Sequence, residues 1–270
     1  MKLQLVSPSR GAVWVRQGFA TFFKQPLAFA AVFAGLMFAL FVFALLPYAG
    51  ALLLLAGLPL ATLSFMIATR RVTQGRSPLP AAFLEPFQAG RARLLTLLRF
   101  GMAYALATFL IMWLSDVADG GALDTLLKTL GEPKTPPEQI VARIRDPQLQ
   151  FGLLLRVGLA SALSLPFWHA PALSHWGGLG VAKALFFSLV ACWRNKGAFA
   201  VYALTWAGVI IGFAVVANLS FLMLGQLRLI GMLAMPASLF FSTVFYASLY
   251  FTFADCFMQD DPPTTIQETL

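Results

Sequence analysis

The sequence predicts an all-α protein, a polytopic transmembrane helical bundle of six spans with interfacial helices on one side. Three observations predict it. Apolar side chains make up 59% of the 270 residues and charged ones 11%, with a mean hydropathy of +0.79, whereas an ordinary globular chain is roughly 25% charged. Charge-free runs reach hairpin length: 45 uncharged residues lie between Lys24 and Arg70. As one helix that run would extend about 68 Å, twice what a ~30 Å hydrocarbon core needs. Finally, Lys and Arg gather in alternate connections. A soluble fold, a disordered chain, a coiled coil and a disulfide scaffold are all excluded by this composition.

The elements follow in order. Residues 11–25 place Val13, Trp14, Phe19, Phe22 and Phe23 among Arg16, Gln17 and Lys24, the pattern of an amphipathic helix lying at a membrane surface. The first span is expected at Leu27–Leu46 and the second at Ala51–Thr69, turning at Leu46-Pro47-Tyr48-Ala49-Gly50, where Pro and Gly break the helix. The third runs over Leu94–Ser115, with Arg99 near its start. A connection at 118–148 follows, carrying two short helices. One holds Leu123, Leu126, Leu127 and Leu130; the other starts at Pro137-Glu138 and ends before Asp146-Pro147. The fourth span, Gln150–Trp168, contains Arg156 and ends near Pro166 and Pro171. The fifth is Phe199–Leu222 and the sixth Leu229–Ala254. The acidic tail 259–270 is expected to be mobile.

Orientation follows from the cations. Lys2, Arg10, Arg16, Lys24, Arg70, Arg71, Arg76, Arg91, Arg93, Arg99, Lys183, Arg194 and Lys196 fall on one side. Lys128, Lys134, Arg143, Arg145 and Arg228 fall on the other, diluted by Asp116, Asp119, Asp124, Glu132, Glu138 and Asp146. The first side is therefore expected to be cytoplasmic, with both termini inside. The basic stretch before Leu27 is too long for a cleavable leader, so the first span is read as a retained anchor. Cys192 and Cys256 fall near cytoplasmic helix ends and are expected as free thiols.

Internal similarity runs through the chain. At an offset of 170, Phe23, Lys24, Ala28, Phe29 and Ala30 align with Trp193, Arg194, Ala198, Phe199 and Ala200. Residues 79–93, with Phe83, Phe87, Arg91 and Arg93, supply a third, weaker copy. The expected unit is an interfacial helix followed by a membrane hairpin, three times over.

Phe167-Trp168-His169-Ala170-Pro171-Ala172 and Ala184-Leu185-Phe186-Phe187-Ser188-Leu189-Val190-Ala191-Cys192-Trp193-Arg194-Asn195, together with Trp14, Gly18-Phe19 and Pro26-Leu27, carry a family resemblance. The chain resembles an uncharacterised family of multi-pass inner-membrane proteins from beta-proteobacteria and their relatives. That resemblance covers nearly the whole chain and implies a bacterial inner-membrane protein, without implying an activity. A fainter likeness is to membrane domains attached to glycerophosphodiester phosphodiesterases, although no phosphodiesterase domain is present.

Hydrolytic or metal chemistry needs clustered ionisable groups. The two histidines, His169 and His175, straddle Pro171 with no carboxylate within twenty residues of either, so no metal or cofactor is expected. His169 reads as an interfacial anchor beside Trp168, or as a proton-relay group. Arg156, about 9 Å inside the fourth span, either pairs with Asp116 of the third span or snorkels to headgroups. Gly177-Gly178-Leu179-Gly180-Val181-Ala182-Lys183 lacks the spacing and the preceding strand of a phosphate loop and reads as a turn. Gly208 and Gly212 form a GxxxG pair on the fifth span, for packing within the bundle or between copies. Asn218 and Ser220 are expected to bond to a neighbouring helix. Arg70, Arg71, Arg91, Arg93, Arg194 and Lys196 are the candidate contacts for anionic lipid headgroups.

The function expected is non-enzymatic support of a membrane complex or of envelope lipid organisation. The alternative is a small transporter of a lipid or apolar solute, with its path between hairpins. Membrane lipids, a membrane-protein partner or a second copy are the expected partners; nucleic acid is not, because the net charge of +8 is laid out along a membrane face.

Overall fold

The computed structural model describes residues 2–79, 81–88, 90–132, 135–225 and 230–257. The acidic tail, Pro133, Lys134, Arg228 and Leu229 lie outside the described residues. The described chain is helical with no strand. Six helices are long and apolar enough to cross a membrane: α2 (Pro26–Ala44), α3 (Gly50–Thr73), α5 (Arg91–Asp119), α8 (Pro147–Phe167), α11 (Lys196–Met223) and α12 (Ile230–Phe257). The shorter ones are α1 (Arg10–Lys24), α4 (Ala81–Gln88), α6 (Ala122–Gly131), α7 (Pro137–Ile144), α9 (Ala170–Gly177) and α10 (Val181–Arg194).

α1 buries Gly11, Trp14, Val15, Gly18 and Phe22, an i, i+3, i+4 stripe. A Cβ on Gly11 would lie 2.2 Å from the Ala198 carbonyl oxygen, and one on Gly18 2.7 Å from the Ser248 Cβ. The two glycines thus seat α1 directly on α11 and α12. Trp14 packs on Phe199 and Tyr202, with ring centroids 5.4 and 6.0 Å apart.

Three short helices each precede a pair of spans, and none of them packs chiefly on the pair that follows it. α1 lies on α11 and α12, α4 on α3, and α10 on α8. The reason is the corner. A single non-helical residue joins α1 to α2 (Gln25, φ −145°, ψ 63°) and α10 to α11 (Asn195, φ −104°, ψ 23°). So sharp a turn sends the short helix away from the span that follows it. Gln25 and Asn195 are themselves 170 positions apart.

The bundle centre is formed by α3, α5 and α12, with α8 and α11 at the flanks. One apolar cluster holds Trp14, Phe29, Phe65 and Val244; a second holds Leu63, Phe100, Leu173 and Phe253. α9, buried from Ala170 to His175, folds beneath α3 and α5 and closes the end of the bundle where the described residues begin and end, the terminal face. The N-terminal segment is pinned there: Gln4 N–H donates to the Cys256 carbonyl at 2.9 Å, and Val6 N–H to the Asn195 side-chain oxygen at 2.9 Å.

Candidate functional site

The densest group of charges lies on the terminal face where α3 ends. Arg70 and Arg71 close α3, Arg76 follows in the loop, Glu85 and Gln88 come from α4, and Arg93 from the first turn of α5. His175 and Trp176 approach from α9. Together they line two adjoining recesses of about 300 and 280 Å³ that share Arg70 and Glu85. The Arg70 guanidinium sits over the Trp176 ring, 5.2 Å from its centroid, a cation–π contact that fixes its direction. Glu85 faces His175 Nε2 at 3.4 Å and Arg71 Nε at 3.6 Å, both longer than a well-formed charged hydrogen bond. His175 Nδ1 and Trp176 Nε1 are buried without a partner.

Of the cations named from sequence, the structure brings Arg70, Arg71 and Arg93 together and leaves the others apart. Arg91 starts α5 outside the recess lining. Arg194 and Lys196 stand at the α10–α11 corner, with Lys196 Nζ 5.5 Å from the Trp193 ring centroid. Glu85, Gln88 and His175 were not legible as site residues, because three elements far apart in sequence converge on them.

On the opposite face Arg156 bridges two carboxylates of α5: Nη2 to Asp116 Oδ1 and Nη1 to Asp119 Oδ2, each at 2.5 Å. Asp119 had not been singled out. It rests against Gly152, where a Cβ would lie 2.5 Å from the Asp119 Cβ, and it also accepts from the Gly121 N–H at 2.9 Å. The i, i+3 pair Asp116/Asp119 and the i, i+4 pair Gly152/Arg156 were the available signal.

Four residues stand otherwise than expected. His169 is fully buried rather than at the boundary. The break at Pro166 and Pro171 turns the chain under the bundle, where Phe199, Phe253 and Phe257 surround the imidazole. Its backbone N–H donates to Ser188 Oγ at 2.9 Å, which in turn donates to the Leu165 carbonyl at 2.9 Å. His169 Nε2 meets Thr252 Oγ1 at 3.2 Å, and Nδ1 has no partner. Gly208 and Gly212 do not pack within the bundle: a Cβ on either would meet nothing within 4 Å. Asn218 bonds within its own helix, donating to the Ala214 carbonyl at 2.8 Å, because α11 and α12 splay apart at this depth. Between them lies an apolar groove of about 650 Å³, lined by Ala214, Ala217, Ala234 and Ala237, with Asn218 and Ser238 at its edge.

Cys192 and Cys256 are free and buried; burial first, and the neighbouring Cys256 second, push the Cys192 thiol up to about 12.

Six apolar spans with short basic helices at one face define a multi-pass integral membrane protein. Over 269 residues, 97% of this chain and 96% of the relative, the sequence is 34% identical to a probable inner membrane protein of Burkholderia thailandensis. The chain belongs to that protein's family, and it is an inner-membrane protein. No family model matches the chain, and no solved structure matches it.

Proposed function

We propose that the protein is a non-enzymatic organiser of anionic phospholipid in the inner membrane, holding headgroups against its terminal face with both termini in the cytoplasm. One observation carries this reading. The thirteen cations from Lys2 to Lys196 share a face with Glu85 and Asp255 as its only carboxylates among the described residues. Asp255 is already engaged by Arg10, at 2.6 and 2.8 Å, and by Trp14 Nε1 at 2.6 Å. Each cation near an anionic leaflet contributes about 1 kcal/mol, so a face of this composition gathers negative lipid. Support of a membrane complex through that lipid belongs to the same reading.

Native mass spectrometry after gentle extraction tests it. Phosphatidylglycerol or cardiolipin should remain bound in preference to a neutral phospholipid. A protein that retains neutral and anionic lipid alike sinks the proposal.

A second reading, a small transporter of a lipid or apolar solute, is favoured by the groove between α11 and α12. It requires solute flux in liposomes from a protein that keeps no anionic lipid.

A further inference from the structure

We propose that the paired recess at the end of α3 is a discrete site for the phosphate of an anionic phospholipid, occupied without lipid by Glu85 as its resident counter-ion. The inference rests on the lipid-holding reading above and narrows it to one place.

The first argument is charge. Arg70, Arg71, Arg76 and Arg93 line two adjoining spaces with one carboxylate between them. Guanidinium groups repel one another at such spacing unless an anion joins them, and their planar forks match phosphate oxygens in pairs. Glu85 fills that role incompletely, at 3.4 Å from His175 and 3.6 Å from Arg71. Arg76 and Arg93 have no carboxylate within 4.0 Å among the described residues.

Preorganisation is the second argument. Trp176 holds Arg70 from beneath, and His175 is 96% buried, with Nε2 on Glu85 and Nδ1 unpartnered. An arginine already held in place gives up less side-chain freedom on binding than a free surface one.

The third argument separates a lipid from a soluble phosphate. The two helices that contribute Glu85, Gln88 and Arg93 also expose Leu84, Phe87, Leu95 and Leu98. The recess thus stands at the end of a span, on helices that also carry exposed apolar side chains within a few residues of its lining, as a phosphate joined to acyl chains requires. A soluble phosphate has no use for the second feature.

The test titrates the purified full chain in mild detergent with phosphatidylglycerol, using phosphatidylcholine as the neutral comparison, and reads bound lipid by native mass spectrometry. The double variant Arg70→Gln/Arg93→Gln should weaken phosphatidylglycerol retention roughly tenfold or more. Arg194→Gln/Lys196→Gln, on the same face but away from the recess, removes only the general attraction of two cations and should weaken retention several-fold less than the recess pair does. Glu85→Gln should strengthen retention several-fold, a gain that a misfolded variant cannot produce. Equal losses from both double variants would overturn the discrete site while leaving the broader lipid reading intact. A wild-type protein without preference for phosphatidylglycerol removes both. Inorganic phosphate that displaces the lipid, or binds when lipid is absent, reassigns the recess to a soluble anion and overturns the lipid assignment.

Discussion

Arg156 divides its guanidinium between carboxylates of opposite exposure, Asp116 at 60% and Asp119 at 0%. The difference decides which partner matters. An exposed ion pair contributes ~0–1 kcal/mol, whereas removing one member of a buried pair costs about 3–5 kcal/mol because the other charge is stranded. Asp116→Asn is therefore expected to shift stability by less than about 1 kcal/mol, and Arg156→Leu to cost several times that. Adding Asp119→Asn to Arg156→Leu should restore much of the loss, while adding Asp116→Asn should not. Thermal unfolding of the detergent-solubilised variants measures this, and rescue by Asp116→Asn instead would reject the assignment. Arg156 and Asp116 were legible because charges beside an apolar run stand out. Asp119 was not, since Asp119-Gly120-Gly121 reads as the start of a turn. The helix ends there through Gly120 at φ 60°, yet the carboxylate still faces α8. Sequence marks a charge by its neighbours along the chain, and burial depends on what crosses above it.

At the scale of elements, α1 and α10 show where periodicity stops being informative. The stripe Gly11, Trp14, Gly18, Phe22 announces a face without naming the helix it meets. The one-residue corner at Gln25 decides that, and it carries α1 to α11 and α12. The spans were legible for a simpler reason. Hydrocarbon admits a backbone only with its hydrogen bonds closed within the helix, so uncharged length alone marks them. The recess is the opposite case, assembled from α3, α4, α5 and α9, and no local pattern encodes it. Close packing of α1 is testable through its glycine. Gly18→Leu must push into Ser248 and is expected to cost about 1–3 kcal/mol, with loss of the folded species on size-exclusion chromatography. Gly208→Leu, on the open side of α11, should be silent in a monomer. If it is equally damaging, that side of α11 is covered by a second copy.

For the molecule as a whole, the two faces differ in kind. The terminal face carries thirteen cations against Glu85 and Asp255, while the described opposite face carries Asp116, Asp119, Asp124, Glu132, Glu138 and Asp146 against Lys128, Arg143, Arg145 and Arg156. Cationic connections resist transfer across the inner membrane, so the richer face is expected in the cytoplasm. Gln74 and Glu132 are exposed at opposite ends of the bundle, and the native Cys192 and Cys256 are 3% and 0% exposed. A cysteine placed at either position therefore reports with little background. A membrane-impermeant maleimide added to intact spheroplasts should label Glu132→Cys at once and leave Gln74→Cys untouched until the membrane is opened. The reverse pattern would turn the protein over. It would also move the arginine recess away from the anionic inner leaflet surface, so that the charge asymmetry would need an origin other than the orientation of the chain. Labelling of both positions in intact spheroplasts would mean an even number of crossings between them, which the single span that separates them, α5, does not allow unless it lies outside the hydrocarbon.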